Sequence, residues 1–292
     1  MEQSRTLKST GEEGLNFDHF AMKLWQKAKQ LGVWDPQQID LETDREHWEG
    51  FDDEQREVLL HLSSMFMGGE EAVTLDLLPL IQVVASEGRL EEEMFLTSFL
   101  WEEAKHVEAF RRFVDEVTGE TGDLSRFHGD NYRQIFEKEL PGSLNRLRED
   151  SSPVAQAEAS VTYNMIVEGV LAETGYHAYF EMLQRQDMMP GMREIVGKLK
   201  QDESRHLAYG VFLLSRLVAE HGDEVWNTID ERMNQLFPLA MGMIDEVFDA
   251  YDPVPFGLQK ETFVQFASTQ FQKRYQRVQR AREQSLDEIV GT

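Results

Sequence analysis

Trp101-Glu102-Glu103-Ala104-Lys105-His106 and, one hundred residues on, Gln201-Asp202-Glu203-Ser204-Arg205-His206 each contain a Glu-x-x-His. On an α-helix, residues three apart project about 60° from one another, so a carboxylate and an imidazole can reach one metal ion from one face. A lone Glu-x-x-His arises readily by chance in an acidic chain. Here there are two, each within a long helix-forming run, and each follows a helix carrying a glutamate in an unexpectedly apolar setting. Glu70 lies in Phe66-Met-Gly-Gly-Glu-Glu-Ala-Val-Thr-Leu75, and Glu168 in Tyr163-Asn-Met-Ile-Val-Glu-Gly-Val-Leu171. The chain therefore reads as two similar halves, each a helix with Glu followed by a helix with Glu-x-x-His.

Outward from these motifs the text is helical almost throughout. Leu, Met, Ala, Glu, Gln and Arg abound, apolar residues recur at three- and four-residue spacing, and β-branched alternating runs are missing. Turn signals place helices over about 18–31, 52–86, 90–117, 130–149, 153–186, 190–220, 223–250 and 257–284. No linker defines a second domain. The expectation is an all-α chain, a ferritin-like four-helix bundle core with additional helices over 16–292, behind a disordered tail over 1–15. Counting from the Gly88 turn at 1.5 Å per residue, Glu70 and Glu103 sit about 27 and 22 Å away and can meet at one level. Glu168 and Glu203 sit about 28 and 18 Å from their connection, so that pair needs a tilt or a rising connection.

Electrostatics decides what six such residues can share. Four ionised glutamates in a low-dielectric interior repel and protonate, whereas two metal cations offset their charge. The 292 residues include no cysteine, which removes thiolate zinc sites and iron–sulfur clusters and leaves oxygen and nitrogen donors suited to iron or manganese. Glu71, Glu102 and Asp202 adjoin the candidate ligands and are read as outer-sphere or surface groups. His19, His47, His61, His128, His177 and His221 lack the pairing and are read as structural or surface residues. With 29 Lys+Arg against 54 Asp+Glu the net charge is −25, which disfavours nucleic acid and anionic membrane surfaces. No apolar run is long enough to span a membrane, and the N-terminal residues lack a signal-peptide core, so a cytoplasmic protein is expected.

These motifs resemble the ribonucleotide reductase small-subunit-like ligand-binding oxidases, ferritin-like relatives of the reductase radical subunit. The resemblance runs from about Phe17 to the region of Arg280 and is strongest at Gly69-Glu70-Glu71-Ala72-Val73-Thr74-Leu75-Asp76, Glu103-Ala-Lys-His106-Val-Glu108, Tyr163-Asn-Met-Ile-Val-Glu168-Gly and Asp202-Glu203-x-x-His206. It implies that Glu70, Glu103 and His106 hold manganese and Glu168, Glu203 and His206 hold iron. It further implies that dioxygen is activated, that a long-chain fatty acid binds at the cluster, that Val73 and Tyr163 become joined by an ether bond, and that the protein is a homodimer. Tyr176 falls near the family's pocket, as a hydrogen-bond donor.

Val73 is three residues from Glu70, hence on the same helix face, and its tertiary β-carbon has a comparatively weak C–H bond. Tyr163 is five residues before Glu168, about 140° round an α-helix, and is expected to point at a neighbouring helix instead of the metals. Phe110 stands four residues after His106, where reductase subunits with a stable tyrosyl radical have Tyr. A radical-generating reductase subunit, a non-catalytic metal or lipid binder and an acyl-carrier-protein desaturase are the competing readings. The last would want a basic docking surface that this charge opposes.

Overall fold

The computed structural model describes residues 7–12 and 14–291. Among these the chain is helical with no strand. Helix α1 (Phe20–Leu31) and the short α2 (Glu42–Gly50) lead into α3 (Asp53–Asp76), α4 (Leu78–Ser86) and α5 (Leu90–Phe113). Rod α6 (130–146) and rod α7 (153–184) each mix α- and π-helical turns, and α8 (Pro190–His221), α9 (Asp223–Asp249), α10 (Lys260–Gln279) and α11 (Leu286–Val290) complete the chain. Of the segment 1–15 expected to be disordered, residues 1–6 and 13 lie outside the described residues. Lys8–Thr10 form a 3-10 turn, and Lys8 Nζ donates to Glu91 at 2.6 Å.

Local chemistry fixes the ends of these rods. Asp52 accepts from Gln55 N while the Gln55 side chain accepts from Asp52 N, a reciprocal cap that starts α3. The run expected over 52–86 is broken at Leu77, because Pro79 has no N–H to give and its ring crowds the preceding turn. Gly88, at φ +74°, then takes the left-handed turn into α5. Acids in the first turn of α5 and Arg111 and Arg112 in its last complement its dipole. The polar α2, which apolar periodicity does not reveal, earns its place through Asp44: buried, its two carboxylate oxygens accept from Gly191 N and Met192 N at 2.8 and 2.7 Å and cap α8.

Rods α3, α5, α7 and α8 surround the interior, which is split into two apolar halves. Val73, Phe99, Tyr163 and Tyr209 belong to one cluster and Phe66, Phe110, Tyr176 and Leu199 to the other. Every candidate ligand falls, along its own rod, between a residue of one cluster and a residue of the other. The polar centre is thus a layer between two dry ones.

The largest departure from the expected helices is inside α7. Val161–Ala172 is π-helical, and Val161 to Val170 are all buried. Bonding i→i+5 winds more residues into each turn, so the rod rises less per residue than an α-helix. This shortens the stretch between Glu168 and the α7–α8 connection and brings Glu168 part of the way towards the level of Glu203. No helix of the described residues is long and apolar enough to cross a membrane. Asp44→Ala is expected to lower the unfolding free energy by about 1–2 kcal/mol through loss of the α8 cap, as read by urea denaturation at fixed metal content. An unchanged midpoint contradicts that role.

Candidate dinuclear metal centre

Six side chains that sequence spacing singled out converge. Glu70 comes from α3, Glu103 and His106 from α5, Glu168 from α7, and Glu203 and His206 from α8; none is more than 5% exposed. Glu70, Glu103, His106 and Glu203 form one set able to hold a metal ion, and Glu103, Glu168, Glu203 and His206 a second. Glu103 and Glu203 appear in both sets. That overlap would let Glu103 and Glu203 contribute to the holding of either of two ions.

Both imidazoles turn Nδ1 inwards. His106 Nδ1 lies 3.3 Å from Glu70, 3.5 Å from Glu103 and 3.5 Å from Glu203; His206 Nδ1 lies 3.0 Å from Glu103, 3.6 Å from Glu203 and 3.8 Å from Glu168. Each Nε2 faces outwards to a carboxylate: Asp202 at 3.3 Å from His106 and Glu102 at 2.8 Å from His206. Such outer acceptors fix the ring orientation and raise the basicity of the inner nitrogen. Trp34 Nε1 donates to Asp202 at 2.8 Å, and Arg205 donates to both Glu102 and Asp202. Lys105 sits 3.4 Å from Asp202 and donates to the carbonyl of Gly32. Phe99 stacks on His206 with ring centroids 3.6 Å apart.

Glu102 and Asp202 therefore do serve as outer partners, whereas Glu71 is exposed. Trp34, Lys105 and Arg205 escaped the sequence reading. A signal for two of them was present: the motifs match as acid-Glu-x-base-His, so the base beside each histidine repeats along with the ligands.

The donor set fits cations and little else. Burial pushes Glu70, Glu168 and Glu203 above the usual carboxylate range, and neighbouring glutamates add to it for all three. Burial would also lift Glu103, but the imidazoles of His106 and His206 against it hold it low. Burial would lower both imidazoles; the charge of Glu70 for His106 and of Glu203 for His206 raises them instead. One oxygen each of Glu103, Glu168 and Glu203, and Nδ1 of His206, are buried with no hydrogen-bond partner. Orphaned acceptors aimed at one spot in a dry core are what bound cations satisfy.

Tyr163 corrects the α-helical expectation. Its hydroxyl donates to Glu103 Oε1 at 3.3 Å instead of pointing away, because π-helical winding brings residues five apart nearly onto one face. Val73 is buried and lines, with Glu70, Glu103, Glu168 and Glu203, a narrow cavity of about 130 Å³. The cavity is otherwise almost wholly apolar and runs between α3, α7 and α9 to Tyr251 and Phe263. Tyr176 is buried on Phe66, 5.2 Å between centroids, its hydroxyl without a partner. Phe110 also stacks on Phe66, at 4.9 Å.

Comparison with known proteins agrees with this geometry. The family model for the ribonucleotide reductase small chain matches residues 17–280, and the chain belongs to that family. Within it, the chain is similar to the R2-like ligand-binding oxidases. The oxidase from Sulfolobus acidocaldarius is 36% identical over 98% of both chains, with a TM-score of 0.89. A valine-to-leucine variant of an R2-like ligand-binding oxidase with an aerobically reconstituted Mn/Fe cofactor is 34% identical, covering 94% of this chain and 99% of that one, with a TM-score of 0.89. A tyrosine-to-phenylalanine variant with the same cofactor is also 34% identical, over 94% and 98%, at 0.88.

Metal uptake is expected to release protons. Glu70, Glu168, Glu203 and both histidines hold protons above their ordinary ranges without metal, and ligation requires the deprotonated forms. Adding ferrous ion anaerobically to metal-free protein in weak buffer should acidify the solution, and affinity should fall as pH falls. A loading step with no pH change contradicts the assignment.

Proposed function

We propose that the protein is a dioxygen-activating oxidase in which Glu70, Glu103 and His106 hold one ion and Glu168, Glu203 and His206 the other, manganese and iron respectively. A long-chain fatty acid occupies the adjoining cavity. One observation carries this reading: two overlapping ligand sets, complete and buried, turn their four glutamates onto an apolar cavity. The cofactor named in the similar oxidases is Mn/Fe, which the oxygen-rich donor set suits. Bound there, the two metal ions supply the redox chemistry, passing two of the four electrons that reduce dioxygen to two waters.

The residues of the chain do the rest. Loss of Val73 Cβ–H and Tyr163 O–H, with a C–O bond formed between them, provides the other two electrons and two of the four protons, the remaining two protons coming from solvent. Val73 and Tyr163 belong to one buried cluster. Burial, followed by the charge of Glu103, raises the Tyr163 phenol well above its ordinary range, so it stays protonated and its O–H is held on Glu103. The solved oxidase variants replace a valine and a tyrosine, which draws attention to the same pair of residue types. We assign Tyr176 as a hydrogen-bond donor beside the cluster. Its phenol is raised by burial and then by the charges of Glu203 and Glu70, which supports the assignment. Phe110 leaves no phenol four residues after His106, which turns the reading away from a stored tyrosyl radical. A homodimer in the cytoplasm completes the proposal, on the resemblance.

Aerobic loading with manganese and iron followed by peptide mass spectrometry tests the oxidation. Peptides containing Val73 and Tyr163 are expected linked with a loss of two hydrogens, and separate in Tyr163→Phe; an unmodified pair in fully loaded protein removes the claim. For the ligand, organic extraction of the purified protein should yield a long-chain fatty acid. Ala178→Phe, which fills the cavity wall, should lose it while retaining metal; equal yields from both proteins contradict the site.

A further inference from the structure

Of the four glutamates in the centre, one is held by a neutral amide, and the hold is built across two rods. Asn164 Nδ2 donates to Glu168 Oε2 at 2.9 Å, leaving Glu168 Oε1 buried and without a partner. Ser160 Oγ donates to Asn164 Oδ1 at 2.9 Å, which fixes the amide with its NH2 towards the carboxylate. All three residues lie on rod α7, each four after the last, and Ser160 and Asn164 are fully buried. Gly210 on α8 makes room, since a Cβ there would run into Cβ and Cγ of Asn164. A glycine inside a long helix is unfavourable by about 1 kcal/mol relative to alanine, and here the missing Cβ is what lets the amide fit.

Resting on the dinuclear reading, we propose that Asn164 is a positioning residue: locked by Ser160 and seated against Gly210, it restrains Glu168 so that a single oxygen, Oε1, faces the second ion. Among the other glutamates, Tyr163 donates to Glu103. Glu70 and Glu203 meet inside the centre only the two histidines. The centre is therefore asymmetric. Glu168 is the tethered carboxylate, whereas Glu203, which belongs to both ligand sets, meets only the two histidines. A tethered one-oxygen ligand would help fix where the second ion is held.

The test is an anaerobic titration of metal-free protein with ferrous ion, free iron being read with a colorimetric chelator. Wild type should bind two ions in resolvable steps. Asn164→Ala should weaken one step by about 10- to 100-fold, as loss of an outer-sphere partner does, and leave the other step unchanged. Gly210→Ala, which displaces Asn164 without removing it, should reproduce that selective loss. Ser160→Ala should give a smaller loss in the same step. Selectivity separates positioning from packing: a general loosening of the core in Asn164→Ala would weaken both steps together, whereas a lost tether weakens one. Two unchanged steps in Asn164→Ala, or equal weakening of both, overturn it. If that variant does not fold, Ser160→Ala decides: a selective loss supports the proposal, and wild-type steps overturn it. Wild type binding fewer than two ions would instead sink the dinuclear reading.

Discussion

Four carboxylates closed into the dry middle of a helical bundle cannot all be ionised unless cations lie among them. The rest of the molecule is arranged around that constraint. Glu70, Glu103, Glu168 and Glu203 come from four different rods, so whatever neutralises them also ties α3, α5, α7 and α8 together. The layer they form separates two apolar clusters, and neither cluster offers water to share the charge. Folding and metal chemistry meet at this layer: without cations, protons occupy the site and stand in for them.

Around the ligands is a second ring of charge with the opposite task. Glu102 and Asp202 accept from the outward nitrogens of the histidines and are themselves balanced by Arg205 and Lys105. Carboxylate, imidazole, carboxylate and base alternate outwards from the centre. Each charge has a partner one step further out, so the ionised forms survive burial and the rings keep one orientation. The cavity above the ligands has no such ring. Its walls are apolar apart from the glutamates themselves.

Much of this was readable in the sequence because it depends on short-range geometry. The two Glu-x-x-His motifs and the upstream glutamates are periodic features of α-helices, and the all-α architecture follows from the absence of alternating strands. What escaped depends on the winding of one rod. The apolar run through Val161–Ala172 looks the same whether its turns are α or π, so Tyr163 was expected to face away, although its hydroxyl meets Glu103. Helix α2 was missed because its contribution is polar, an Asp44 cap on a rod far along the chain. Trp34 reaches Asp202 only through the tertiary fold, and no local pattern announces it.

The central claim is that these six side chains gather two cations. Crystallography with anomalous scattering data on either side of the manganese and iron absorption edges tests it most directly. The account expects two peaks within the layer, one among Glu70, Glu103, His106 and Glu203 and the other among Glu103, Glu168, Glu203 and His206. Metal-replete crystals with a single peak there, or with metal bound elsewhere, would contradict it.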